Sequence, residues 1–281
     1  MSTTVQEMQL RLTEMLKDFH DVCSKHNLTH YALCGTALGV RRHGGFIPWD
    51  DDIDIGMPRQ DYEKLLLLPE AEFPSYMIRC YPYTKAKGGH WSFLKMVHAG
   101  TTLVERTARG VVLGRIGIFL DVFPLDSAGS TVRTGLVKLK RTQWLGMLSA
   151  KNSHVPRATF MGKLALAIAL VLARWIDPSE IAESMLKNSV DADSNYIGNF
   201  YGAWGQKEIM PRWVFGKPTL RPFEGIQIYT PEHINEYLTA LYGDFMTPPP
   251  PEQRKSHHNF THIDLHRGFR EGLVSGGSNE K

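Results

Sequence analysis

The chain has 281 residues, 42% hydrophobic and 22% charged, with a formal charge of +3. That length buries a sizeable core as one large domain, or as one domain with a helical appendage. The composition is ordinarily globular, and so mild a charge gives no argument for a nucleic-acid partner. Cys23, Cys34 and Cys80 sit in apolar contexts and suit free thiols in a reducing cytoplasm better than a disulfide framework. The N-terminus opens on polar residues without a basic-then-apolar secretory pattern. No window reaches the ~18–20 apolar residues that span a bilayer; the nearest, Leu164 to Ile176, follows Lys163 and carries Arg174.

Val5, Met8, Leu12, Met15, Leu16, Phe19, Val22 and Cys23 recur at three- and four-residue steps and predict an amphipathic helix that Asn27 terminates. His30 to Cys34 predicts a short strand, Gly35-Thr36 a turn, and a brief helix with Arg41 and Arg42 follows. Beyond Ile55, Pro58 and Asp61 mark a helix through Leu68, which Pro69 ends. Met77 to Tyr81, Phe93 to Val97 and Ile116 to Phe123 read as strands. Helices are expected over Thr131 to Ala150, Phe160 to Ile176 and Pro178 to Val190. Phe223 to Ile228 reads as a strand and Pro231 to Tyr242 as a helix. Pro248 to Pro251 cannot be helical and reads as polyproline II. The tail after Gly272 is Ser/Gly-rich, which predicts disorder.

The chemistry concentrates between Leu33 and Ile55. An apolar run ends in Gly35-Thr36, a basic turn follows (Arg41-Arg42-His43-Gly44-Gly45), and then Phe46-Ile47-Pro48-Trp49-Asp50-Asp51-Asp52-Ile53-Asp54-Ile55. In an extended segment Asp50, Asp52 and Asp54 share one face while Ile53 and Ile55 point to the core. Carboxylates so placed repel one another unless something positive lies between them. A divalent cation, Mg²⁺ or Mn²⁺, with a phosphate behind it answers that need. A solvated acidic turn is disfavoured because Trp49, Ile53 and Ile55 interleave with the charges. An EF-hand fails: counted from Asp50, the sixth position is Ile55 and the twelfth Asp61. Asp121, the one acid in an apolar strand, needs a partner and is the third candidate metal-site carboxylate. Gly35 and Thr36 suit close approach to phosphate, and Arg42 suits bidentate contact with it. Lys95, between Leu94 and Met96, is a further phosphate candidate.

The segment from Gly35 to Asp54 resembles the signature of the LicD family, bacterial phosphocholine transferases related to fukutin-type enzymes in the nucleotidyltransferase superfamily. The resemblance resumes at Tyr237-Leu238-x-x-Leu241-Tyr242-Gly243-Asp244 and continues to Arg254 and His257, whereas 131–196 match only loosely. It implies an α/β (α+β) nucleotidyltransferase-like fold, a small mixed sheet carrying the Asp-x-Asp strand, flanked by helices with a helical insert. The divisions expected are a catalytic core over 1–130, an insert over 131–196, a C-terminal segment completing the site over 197–272, and a tail over 273–281. It also implies catalytic Asp52, Asp54, Asp121 and Arg42, with Asp52, Asp54 and Asp121 on the metal. Gly35, Thr36, Gly39, Lys95 and His257 are expected around the donor. That donor would be CDP-choline or a related CDP-alcohol. The acceptor would be a hydroxyl of a surface polysaccharide, teichoic acid, lipooligosaccharide or lipid-linked glycan, and CMP would leave.

The residues alone leave alternatives open. Ethanolamine, ribitol or aminoethylphosphonate groups, or nucleotidyl transfer from a triphosphate, fit the same parts, and a non-catalytic sugar-nucleotide or phosphoglycan binder is a further class. Trp91, Phe93, Trp204, Trp213 and Tyr242 are available to a quaternary ammonium. Lys138, Lys140, Arg141, Lys151 and Arg157 make the middle basic; an insert packed on the core is favoured over peripheral docking at an acidic membrane. His258, His262 and His266 at four-residue steps would share a helical face, yet a surface cluster is favoured over zinc.

Overall fold

The computed structural model describes residues 3–80, 93–106, 112–149, 194–256 and 258–270. The periodic N-terminal residues form helix α1 (Thr3–Lys25), which buries Met8, Leu12, Met15, Leu16, Phe19 and Cys23 as one stripe. Asn27, at φ 52°, turns the chain out of it. Strand β1 (Tyr31–Ala32) leads into α2 (Cys34–His43). Gly35 and Thr36 therefore belong to the first turn of α2 and do not form a turn ahead of it. Strand β2 (Ile53–Pro58) runs directly into α3 (Arg59–Leu67). Then come β3 (Met77–Cys80), β4 (Leu94–His98), β5 (Thr102–Arg106), β6 (Val112–Ile116) and β7 (Phe119–Gly129).

The run expected as one strand over Ile116–Phe123 is thus broken at Gly117-Ile118. Gly117 passes so close to the His98 carbonyl that a Cβ would lie 2.0 Å from its oxygen. After α4 (Val132–Ser149) come β8 (Tyr196–Gly198), β9 (Ile209–Pro211) and the one-turn α5 (Arg212–Phe215). The chain finishes with β10 (Thr219–Phe223), β11 (Ile226–Thr230), α6 (Ile234–Tyr242) and β12 (Phe260–Asp264). The strand expected over Phe223–Ile228 is instead the tip of the β10–β11 hairpin. Glu224 and Gly225 sit there at φ 48° and 79°, the paired positive φ of a type I′ turn. Because 260–264 is extended, the four-residue spacing of His258, His262 and His266 makes no helical face, and the zinc alternative loses its basis.

The main sheet has the order β1-β2-β7-β4-β3, with β8 on β7 and β9 on β8. Its β2–β7 pair is parallel and the others are antiparallel, which is the mixed α/β sheet expected. Paired on both edges, β7 is buried along nearly all its length. A separate sheet, β12-β5-β6, brings the C-terminal segment beside the core strands. A bidentate, buried ion pair from Arg59 to Asp126 (2.6 and 2.8 Å) ties the start of α3 to the far half of β7.

Helix α4 buries Leu139 with Ala128, Phe200 and Ile209, and Lys138 Nζ donates to the Ser127 carbonyl at 2.9 Å. Helix α4 thus packs on the strands beside it, although Val132 and Val137 face solvent. The helices expected over 160–176 and 178–190, Lys151, Arg157 and the tail over 273–281 lie outside the described residues. Among the described residues no helix is long and apolar enough to cross a membrane.

Where α1 meets the hairpin, His30 is buried with Nε2 3.3 Å from His20 Nδ1 and its ring against Phe19 and Tyr229. Burial pushes its imidazole down from 6.5 to about 4. Between those values the unfolded chain holds the proton and the fold does not. Stability present above 6.5 is therefore lost as pH falls toward 4. Urea unfolding at pH 7 and pH 4 checks this: His30→Gln removes ~2–3 kcal/mol of the parent's acid-induced loss. An equal loss in both proteins would assign the acid sensitivity elsewhere.

Candidate active site

The first turn of α2 is stitched to β2. Leu33 N–H donates to the Asp54 carbonyl and Asp54 N–H donates to Thr36 Oγ1, both at 2.9 Å. Thr36 thus spends its oxygen on placing Asp54. Cys34 takes a left-handed φ of 42°, unusual for a side chain with a Cβ, and its N–H donates to the Tyr237 hydroxyl at 3.0 Å. Gly35 leaves space for a carboxylate: a Cβ there would lie 2.7 Å from Asp50 Oδ2. Asp50 therefore lies over the start of the helix, where the unpaired N–H groups favour negative charge. Gly39 has a packing task, since a Cβ would meet the Gly45 carbonyl at 2.4 Å.

The loop from Gly44 to Asp52 is held from outside by the hairpin tip. Glu224 N–H donates to the Gly44 carbonyl at 3.1 Å, and Phe46 N–H donates to Glu224 Oε1 at 2.9 Å. Gly45 passes beneath that carboxylate, where a Cβ would be 2.0 Å away, and Phe46 packs on Phe223. From within, Gln9 Nε2 donates to the Asp50 carbonyl at 2.8 Å.

Strand alternation accounts for Asp54 alone, because Asp50, Asp51 and Asp52 precede β2 and arrive on the loop. The parallel register sets Asp54 beside Asp121, and antiparallel β4 sets Lys95 opposite Asp121. Lys95 Nζ reaches Asp121 Oδ1 at 2.5 Å and lies 3.6 Å from the centroid of the Phe119 ring. At the mouth, His258 Nε2 is 3.0 Å from Asp52 Oδ2 and Nδ1 is 3.3 Å from Glu105 Oε1. The imidazole stacks on Phe260 with centroids 5.0 Å apart, and the Ser256 hydroxyl donates to Asp51.

The electrostatics follow from this crowding. Burial, then Asp52 and the other neighbouring acids, holds the Asp50 and Asp54 carboxyls well above the ordinary range. Burial lifts Asp121 to about 6 against the pull of Lys95. Burial alone would lower His258, but Asp52, with Asp51 and Glu105, carries it up to about 9. His258 is thus a counter-ion at neutral pH.

The arrangement fits a hard divalent cation. Asp51, Asp52 and His258 offer ligand atoms within 4.8 Å of one another, while Asp54 and Asp121 are register neighbours on the sheet, and Asp52 acts electrostatically on both. Carboxylate oxygens suit Mg²⁺ or Mn²⁺, whereas His258 would have to lose its proton to ligate. The three expected metal-site acids are therefore brought together.

Other expected residues are distributed differently. Arg42 lies at the far end of α2, donating to the Phe245 carbonyl at 2.9 Å and to His43 Nε2 at 3.0 Å. Burial and the charge of Arg254 lower its pKa, so the two guanidinium groups lie within electrostatic reach of each other. Arg254 itself lies over the Trp49 ring at 5.7 Å. Lys95 is within the acid cluster, and His257 and Trp91 lie outside the described residues. Phe93 packs on Phe123, and Trp213 on His233. Of the His257/His258 pair, one of which the resemblance puts near the site, His258 reaches Asp52; the latch Glu224 and the buried Glu208 are residues that sequence reasoning missed. The Glu224-Gly225 pair was the visible signal for the latch, a turn dipeptide between apolar runs.

A mixed sheet that gathers carboxylates at a helix start defines a nucleotidyltransferase-like α+β domain. Comparison with known proteins agrees: residues 27–147 match the LicD/FKTN/FKRP nucleotidyltransferase domain. The chain is 28% identical over 269 residues to the lipopolysaccharide cholinephosphotransferase LicD of Haemophilus influenzae, covering 91% of this chain and 96% of that protein. Uncharacterised proteins of Rickettsia prowazekii (40% over 70 residues, 25% of this chain and 26% of the relative) and Rickettsia typhi (41% over 56 residues, 20% and 18%) match a shorter part. Over residues 27–147 the chain thus carries a LicD-type nucleotidyltransferase domain, and over most of its length it is similar to a cholinephosphotransferase.

Two variants check the geometry. Asp54→Asn relieves carboxylate repulsion and raises stability in chelator by about 1–2 kcal/mol; a lower melting midpoint would contradict the crowding. Glu224→Ala leaves the Phe46 N–H without its acceptor and costs about 1–2 kcal/mol, while Glu224→Gln, which keeps a carbonyl oxygen, costs less in the same denaturation assay.

Proposed function

We propose that the chain transfers phosphocholine from CDP-choline to a glycan hydroxyl of a cell-surface polysaccharide such as lipopolysaccharide, releasing CMP. The observation that carries this reading is the convergence of Asp52, Asp54 and Asp121 from two parallel strands and the preceding loop. The near full-length likeness to a cholinephosphotransferase supports the choice of transferred group. Cytoplasmic location follows as the compartment in which a CDP-alcohol is available.

A bound Mg²⁺ or Mn²⁺ would neutralise the diphosphate and stabilise the leaving CMP. Asp52, Asp54 and Asp121 would hold it. Lys95 keeps Asp121 oriented, and the start of α2 offers N–H groups to phosphate oxygens. Arg42 and Arg254 would supply positive charge for the nucleotide side. The acceptor oxygen forms a bond to the choline-bearing phosphorus while the bond from that phosphorus to the CMP oxygen breaks. The hydroxyl proton passes to a carboxylate of the acid cluster.

The test is incubation with Mg²⁺, a glycan acceptor and, in separate reactions, CDP-choline, CDP-ethanolamine, CDP-ribitol and CTP. CMP release with CDP-choline is the expected outcome. Pyrophosphate release from CTP would instead make the enzyme a nucleotidyltransferase in its reaction as well as its fold. Asp54→Asn and Asp121→Asn should each lower the rate by at least about 10²-fold while the variants stay folded. Parental rates in both would remove the acid cluster from the reaction.

A further inference from the structure

Helix α6 ends in an aromatic corner beside the acids. Tyr242, its last residue, meets Trp204 edge to face, with ring centroids 4.8 Å apart and planes at 80°. Trp204 keeps 37% of its surface exposed, whereas Glu208 behind it keeps 3%. The Glu208 carboxylate accepts the Trp204 backbone N–H at 2.8 Å, and Gly202 makes room for it: a Cβ there would lie 2.1 Å from Oε1.

The corner adjoins the site through α6 itself. Tyr237, five residues before Tyr242, accepts the N–H of Cys34 at the start of α2. Beyond Tyr242, the Phe245 carbonyl takes a hydrogen bond from Arg42 at the other end of α2. The Tyr242 hydroxyl consequently lies within the electrostatic reach of Asp54, Asp50 and Glu208. Two aromatic faces attract a cation, and although burial pushes the Glu208 carboxyl behind them up to about 7, a cation at the corner would favour its ionised form. Trp204 already has one nearby: Lys207 Nζ lies 5.4 Å from its ring while donating to the Leu241 carbonyl. A ligand would take the exposed part of the indole.

A trimethylammonium group has no N–H to satisfy and needs only such faces and a counter-charge. A primary ammonium needs three acceptors, and aromatic rings supply poor ones. We propose that Trp204, Tyr242 and Glu208 form the subsite for a quaternary ammonium on the phospho-alcohol, with its phosphate at the aspartates. The proposal rests on the transfer reading above and adds the residues that would select choline over ethanolamine.

Calorimetric titration of the full chain with CDP-choline and CDP-ethanolamine in Mg²⁺ tests it, in parallel with CMP release. The parent should bind CDP-choline more tightly. Trp204→Ala should lower the choline-to-ethanolamine affinity ratio about tenfold, and Trp204→Phe should restore most of it. Glu208→Gln should lower the ratio in the same direction. Equal losses for both donors, or an unchanged ratio in Trp204→Ala, would overturn the subsite. A parent that binds the two donors alike would do so too. A parent that discriminates in binding but releases CMP from neither donor would keep the subsite and sink the transfer reading.

Discussion

The structure depends on the parallel pairing of β2 with β7. That register puts Asp54 and Asp121 side by side in the sheet, where the backbone ladder fixes their separation. A one-residue slip would send the side chains of one strand to the opposite face and break the pair. Two devices hold the register. The buried Arg59–Asp126 pair locks the exit of β2 to the far half of β7, and the α2 hydrogen bonds through Leu33 and Thr36 lock its entry. Both flank Asp54, so the same strand is fixed on either side of its functional residue.

Placing like charges so close opposes folding. The fold answers with local cations and with tight packing: Lys95 under Asp121, His258 on Asp52 and Glu105, and the start of α2 beneath Asp50. These neutralise part of the charge and leave Asp50 and Asp54 resisting ionisation. Perturbed carboxyls of this kind concentrate at functional sites.

Much of this was legible in the residues. The α1 stripe, the acids between Gly35 and Ile55 and the lone acid of β7 follow from periodicity, spacing and the cost of burying charge. The boundaries that failed did so where tertiary contacts overrode local pattern. Gly117 breaks an apolar run because the His98 carbonyl passes against it, and Gly35, read as a turn residue, lies in the helix and is glycine because Asp50 fills the space of a Cβ. The hairpin at Glu224 was hidden by reading Phe223 to Ile228 as one apolar run. Which of His257 and His258 serves the site was not legible, since His258 acquires its role from Asp52, 206 residues away, and Glu208 carries no local signal because its corner is closed by α6.

The pairing of Lys95 with Asp121 then bears on how the site handles charge. An ammonium fixed at 2.5 Å from one oxygen keeps Asp121 ionised more readily than its burial would allow, since burial and the Asp52 charge both push the other way. A divalent cation arriving at the same cluster meets a carboxylate already oriented and partly neutralised. The ammonium and the cation repel each other, which weakens cation binding but leaves less charge to reorganise when a diphosphate enters with its own negative oxygens. Under the proposed transfer, positive charge shared between a fixed side chain and a bound ion would suit a site that holds a diphosphate and then releases a phosphate monoester.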